Sequence, residues 1–282
     1  MAHRGLQARM VVAMSVLFGF YLLVASLFAP IVGVPVVLAG SVLFVGVQYV
    51  VGKKLALYSV DAEDLSAEDR PEVHRRVEEL SASMDIEKPG LMVGRMGVPN
   101  AFAVGRKGAG TVVLSETMLG LVDEGYMSMD ELEGVLAHEL AHIKNRDVIV
   151  MLLGQSVASI IGLTVFFVVQ LVIEDIPIVG FVIAYLLSMV TQAVVMVFVL
   201  AISRYREYVA DADAAEYTGD PEAMANALSV IREVGTREEA AEVDSATASM
   251  CIFGGERGPL AALFSTHPPT DKRIRRLCEM SA

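Results

Sequence analysis

The sequence contains no tryptophan, only five histidines and two cysteines in 282 residues, and no excess of positive charge. Cys251 and Cys278 show no C-x-x-C spacing, which argues against a cysteine-built zinc cluster and leaves free thiols as the expectation. Lys and Arg number 22 against 34 Asp and Glu, for a formal net charge of −12 and a pI near 4.9. A nucleic-acid partner would call for a basic stripe, so that function class drops out. The acidic side chains are read as solvating whatever part of the chain meets water. Internal repeats and low-complexity linkers are absent too. What is abundant is apolar residue, at 54% of the chain with a mean hydropathy of +0.55. One globular core of this size cannot hide so much, because the fraction of surface buried is limited by chain length.

Four uncharged runs account for the excess: residues 10–28, 31–51, 148–173 and 177–202. Each is roughly 20 residues or longer, enough to span a ~30 Å hydrocarbon core as a helix. The first pair is joined by a short turn around Pro30 and the second by Glu174, Asp175 and Ile176, so both read as membrane hairpins. A cleaved signal is the alternative for the first run, but its apolar stretch is too long for one. A soluble helical hairpin is the alternative for the second pair. Arg4 and Arg9, Lys53 and Lys54, Lys144 and Arg146, and Arg204 and Arg206 flank the runs, whereas the two turns carry no Lys or Arg. The positive-inside rule then predicts a cell-membrane protein with both termini and the segment between the hairpins in the cytoplasm.

The remaining segments, 53–147 and 203–282, fall on one side and are expected to form a single domain interrupted by the second hairpin. The organisation is thus 1–52 as the first transmembrane hairpin, 53–147 as one part of a catalytic domain, 148–202 as the second hairpin, and 203–282 as the other part. Residues 66–84 read as an amphipathic helix, with Val73, Val77, Leu80 and Met84 at helical spacing and Ser66 and Asp69 as a cap. Three short strands follow at 91–94, 101–105 and 111–115, punctuated by Gly, Pro and Asn. A helix over 129–147 begins with the capping-box pair Ser128 and Glu131. Further helices are predicted over 203–217, over 221–234 and after Pro269, with a partly looped stretch at 236–258.

Residues 138–142 read His-Glu-Leu-Ala-His, an H-E-x-x-H motif. On a helix, positions i and i+4 lie about 40° apart around the axis, so both imidazoles reach one ion. Zinc takes two such nitrogens at about 2.0–2.1 Å. Glu139 sits beside them, where it can take a proton from the attacking water. The longer pattern with a third histidine is absent, since Asn145 and Val148 stand at the Gly and His positions. The third ligand must come from elsewhere, and Glu207, Asp211, Asp213 and Glu216 on the helix after the fourth run are the candidates. Glu207 and Asp211 share a helix face, so one can bind the ion while the other holds a ligating imidazole.

Four segments together carry a family resemblance: HELAHIKNRD (138–147), SRYREYVAD (203–211), PNAFAVG (99–105) and HPPTDKRI (267–274). The chain resembles the HtpX family of membrane-bound zinc metalloproteases, relatives of the CAAX prenyl endopeptidases, over nearly its whole length. The resemblance implies an α+β protein with four transmembrane helices and a cytoplasmic zincin-like (gluzincin) domain containing a small sheet. It implies one catalytic Zn2+ held by His138, His142 and Glu207, with Asp211 holding a ligating histidine. It implies that an edge strand at Asn100, Ala101, Phe102 and Ala103 pairs with extended substrate, and it places His267 and Arg273 near the developing oxyanion.

The expected activity is endoproteolysis of unfolded or damaged membrane proteins in protein quality control, with polypeptides and the lipid bilayer as partners. The alternative is a CAAX-type prenyl-protein endopeptidase, although such enzymes have more spans. An intramembrane protease is disfavoured by the charges around His142. A scaffold with a structural zinc is disfavoured because a closed site has no use for Glu139 as a base.

Overall fold

The computed structural model describes residues 33–173, 177–238 and 265–281. They fall into two compact units: residues up to Val50 with Ile149–Ser203, and Val51–Val148 with those from Arg204 on. The chain is mostly helical with one small mixed sheet. In order, the elements are α1 (Val34–Ser59), β1 (Glu63–Asp64), α2 (Pro71–Ser83), β2 (Gly90–Gly94), β3 (Ala101–Val104) and β4 (Thr111–Ser115). There follow α3 (Glu116–Asp123), α4 (Met129–Lys144), α5 (Asp147–Val172), α6 (Pro177–Thr218), α7 (Pro221–Glu238) and α8 (Thr270–Cys278).

In the first unit, α5 and α6 are both long and apolar enough to cross a membrane, and they are the two such helices among the described residues. The four spans read from the sequence are therefore not all present in this description. The run at 10–28 lies outside the described residues, and the run at 31–51 falls mostly within α1. Close packing here uses small residues. At Gly154 a Cβ would come within 2.9 Å of the Val199 side chain, so the helices approach more closely than alanine would permit. Ser156 donates to Gln48 at 2.8 Å, and Gln192 donates to Ser159 at 3.4 Å.

The second unit is built around α4. Its capping box is complete, with Ser128 accepting from the Glu131 N–H at 3.2 Å and Glu131 accepting from the Ser128 N–H at 2.7 Å. Leu132, Val135, Leu136 and Leu140 are fully buried, each contributing about 1.5–3 kcal/mol by leaving water. They pack against Val73, Val77 and Leu80 of α2, Met224, Leu228 and Ile231 of α7, and Leu277 of α8. Gly134 marks the closest approach, where a Cβ would stand 3.1 Å from the Met224 Cα.

The sheet runs β1-β2-β4-β3. β2 is parallel to β4 (Gly90 opposite Thr111), while β3 is antiparallel to β4 (Ala101 opposite Leu114, Val104 opposite Thr111). β3 is thus an edge strand that pairs with β4 on one side only. The tight β3–β4 connection requires Gly105, at φ 105°, where a Cβ would collide with the Ala109 carbonyl.

Several expectations need adjusting. The helix expected at 66–84 starts at Pro71, because Ser66 and Asp69 close a turn of their own (2.7 Å between side chains) before Pro71 opens the helix. The helix at 129–147 stops at Lys144, where Asn145 caps it and Arg146 takes a left-handed φ of 57°. Residues 203–217 are the continuation of the fourth apolar run within one 42-residue helix, α6. The two-residue β1 and the short α3 are additional elements in the structure. Most of the stretch 236–258, with Cys251, lies outside the described residues, and Cys278 is a free, exposed thiol.

Candidate metal centre

The site forms where α4 meets the polar end of α6. α4 turns His138 and His142 to the same side, with Nε2 atoms 3.1 Å apart and ring planes at 88°. Glu207 on α6 brings one oxygen to 3.6 Å from His138 Nε2 and the other to 3.5 Å from His142 Nε2. One ligand atom from each of the three residues lies within 4.8 Å of the others. Nitrogens bound at about 2.0–2.1 Å with tetrahedral angles stand roughly 3.3–3.4 Å apart across one ion, so these separations fit a zinc-sized cation.

Both imidazoles are held from behind. Asp211 lies 3.0 Å from His138 Nδ1, and Asp147 lies 2.6 Å from His142 Nδ1. Arg273, fully buried, donates to Asp211 from Nε at 2.9 Å and from a terminal nitrogen at 2.7 Å, and stands 3.2 Å from Glu207. Arg206 forms an ion pair with Asp147. His267 Nδ1 is 2.9 Å from Glu207 Oε2, the same oxygen that Arg273 faces. A buried carboxylate facing two imidazole nitrogens of one helix supplies the donor set that a divalent cation takes.

Electrostatics follow the packing. Burial opposes charge on His138, but bonds to Asp211 and Glu207 outweigh it and push its pKa up to about 9. Burial holds His142 below its usual range, aided by the neighbouring His138. Burial raises the Glu139 carboxyl, partly opposed by the two histidines. Glu207 and Asp211 are also buried, which alone would raise them. His267 and Arg273 hold Glu207 well below the ordinary carboxylate range, and Arg273 with His138 lowers Asp211.

A cleft of about 220 Å³ opens onto this cluster, lined by Ala56, Ala101, Phe102, Ala103, Val104, His138, Glu139, His142 and His267. Three of the four strand residues singled out from the sequence therefore border it. Asn100 does not: it is fully buried, its N–H donating to Ser115 Oγ at 2.9 Å and its carbonyl accepting from the Ser115 N–H at 2.8 Å. Arg273 also stays off the cleft wall, behind Glu207 and Asp211. Of the other carboxylates considered, Asp213 accepts from Asn145 at 2.8 Å and Glu216 is exposed. Asp147 and Arg206 were missed as site residues. Both belong to the motifs quoted from the sequence, but their contact depends on the left-handed break at Arg146, which no periodicity reveals.

Residues 67–281 match the profile of Peptidase family M48. The chain belongs to peptidase family M48. It is a metalloendopeptidase, and α5 and α6, the two helices among the described residues long and apolar enough to cross a membrane, agree with membrane association. The Protease HtpX homolog of Halobacterium salinarum is 46% identical over 263 residues, covering 86% of this chain and 89% of that protein. The Protease HtpX homolog of Persephonella marina is 35% identical over 285 residues, covering 96% of each. The chain is thus an M48 peptidase of the HtpX group. Its fold is also similar to the crystal structure of S. mikatae Ste24p, with a TM-score of 0.60 and 18% identity. That likeness covers 95% of this chain but 64% of the other, and at such identity it concerns the fold alone.

Proposed function

We propose that this M48 peptidase is a zinc endopeptidase that cleaves unfolded or damaged membrane proteins at the cytoplasmic surface of the cell membrane. His138, His142 and Glu207 hold the single ion, and the observation that carries the reading is the convergence of their three ligand atoms beside a cleft that Glu139 also lines. When bound, zinc supplies Lewis acidity, which acidifies water and polarises a scissile carbonyl.

Glu139 is the general base: it takes a proton from the attacking water and returns it to the leaving amine. Its place on the cleft wall beside His138 and His142 supports this. Asp211 fixes the His138 ring. The outer edge of β3 receives an extended substrate segment by backbone pairing at Ala101, Phe102 and Ala103, a mode that selects few side chains. Asn100 pins that strand to β4 from within. His267, on the cleft wall, is the donor placed to meet the developing oxyanion, and Arg273 acts through Glu207 and Asp211.

Four spans with both termini and residues 53–147 and 203–282 on the cytoplasmic side follow from the flanking Lys and Arg. The catalytic domain is then those two segments, with 1–52 and 148–202 as the membrane hairpins. The prenyl-peptidase alternative has only a fold likeness behind it.

The test is metal content and cleavage of an unfolded protein, wild type beside Glu139→Gln. Glu139→Gln is expected to keep its zinc and to lose activity by roughly 10²–10⁴-fold. Near-wild-type turnover by a zinc-loaded Glu139→Gln protein would overturn the role.

A further inference from the structure

Each imidazole of the motif has its own carboxylate, and each carboxylate has its own buried guanidinium. Arg273–Asp211–His138 is one such relay. The second, Arg206–Asp147–His142, is built from different elements. Arg146, with a left-handed φ of 57°, separates α4 from α5, and Asp147 follows it as the first residue of α5. Asp147 then meets His142 Nδ1 at 2.6 Å. Arg206 pairs with that carboxylate and also donates to the Asn145 carbonyl at 3.2 Å. Arg206 directly precedes Glu207 in α6, so one ion pair ties the end of the histidine helix to the helix supplying the third ligand.

We propose that Asp147, held in place by Arg206, is the positioning residue that fixes His142 as a metal ligand. The inference rests on the zinc-peptidase reading above. A carboxylate at hydrogen-bond distance from Nδ1 sets the rotation of the ring and keeps the proton on Nδ1, leaving the Nε2 lone pair for the ion. An acid in the first turn of α5 would also favour the helix dipole. That purpose alone, however, leaves the carboxylate exposed, whereas Asp147 is buried against the imidazole and the guanidinium.

The experiment uses the full chain purified in detergent and titrated with zinc against a competing chelator. Asp147→Asn is expected to bind zinc ~10–100-fold more weakly at unchanged helix content. Arg206→Gln should weaken binding in the same direction by a smaller factor, and Asp147→Glu should recover part of the loss. With ¹⁵N-labelled histidine, the zinc-loaded wild type should carry its His142 proton on Nδ1, with that signature lost or broadened in Asp147→Asn. A purely structural role would lower the folded fraction without changing zinc affinity in what remains folded. Wild-type zinc affinity in folded Asp147→Asn protein overturns the proposal. If that variant does not fold, Arg206→Gln decides it, and wild-type zinc affinity in folded Arg206→Gln protein overturns the proposal equally. A wild-type protein that binds no zinc would instead overturn the underlying reading.

Discussion

The two units solve opposite solvation problems with one chain. In the first, the surface is apolar: Phe181, Val182, Leu186, Val190 and Phe198 are exposed, while Ala158 and Ala184 and the hydroxyls of Ser156 and Thr164 are buried. In the second, the large apolar side chains left exposed are Val51, Leu55, Tyr58, Tyr126 and Met280 among the described residues. Buried charge is distributed just as unevenly. His138, Glu139, Asp147, Arg206, Glu207, Asp211, Asp213 and Arg273 all belong to the second unit, on the helices that form the site. A surface without charge suits a hydrocarbon solvent, where exposed apolar groups cost nothing. A cluster of buried charge is expensive and persists where function requires it.

Four substitutions probe this contrast, in falling order of effect. Arg273→Met would remove the buried cation that faces both Asp211 and Glu207, and should cost about 3–5 kcal/mol in a denaturation measurement. A loss within experimental error would mean that the cluster is not truly desolvated. Val190→Lys, in the middle of the apolar part of α6, should cost roughly 2.5–3.5 kcal/mol of membrane insertion. Carbonate extraction should then show a smaller membrane-integrated fraction, whereas the same replacement at the exposed Tyr126 should leave that fraction unchanged.

Gly134→Val forces side-chain atoms towards the Met224 backbone and should destabilise the second unit by about 1–3 kcal/mol, read as a lower Tm. Asp123→Asn should cost least. Its hydrogen bond to Arg70, 2.5 Å long, holds the Asp123 carboxyl below its ordinary value, but half-exposed groups are screened and the pair is worth about 0–1 kcal/mol. Because the folded-state pKa is depressed, that contribution is present above the ordinary carboxylate range and is lost as pH falls through the folded value. The wild-type and Asp123→Asn stability curves should therefore converge in acid.

The local features were legible because local chemistry specifies them. Ser128 and Glu131 announce the start of α4, short apolar runs punctuated by Gly, Pro and Asn announce β2 to β4, and the four-residue spacing of His138 and His142 announces their common helix face. The features that escaped depend on partners distant in sequence. β1 exists only because Glu63 and Asp64 pair with Val93 and Met92, and two residues carry no pattern of their own. The unbroken α6 was read as two helices because its character changes from apolar to charged at Ser203, although nothing there breaks a helix. Glu207 was one of four possible acids from spacing alone, and only the packing of α6 against α4 separates it from Asp213 and Glu216. Asp147 and Arg206 became site residues through a single left-handed residue. The burial of Arg273 follows from its pairing with two acids on another helix, which hydropathy reads as an exposed charge.

The most direct test is the zinc stoichiometry of the purified full chain beside Glu207→Ala, both dialysed against the same weak chelator. The expected result is a single tightly held ion in the wild type, coordinated by two imidazoles and a carboxylate in X-ray absorption, with loss of that ion in the folded variant. A folded Glu207→Ala protein that held zinc as firmly as the wild type would contradict the three-ligand site.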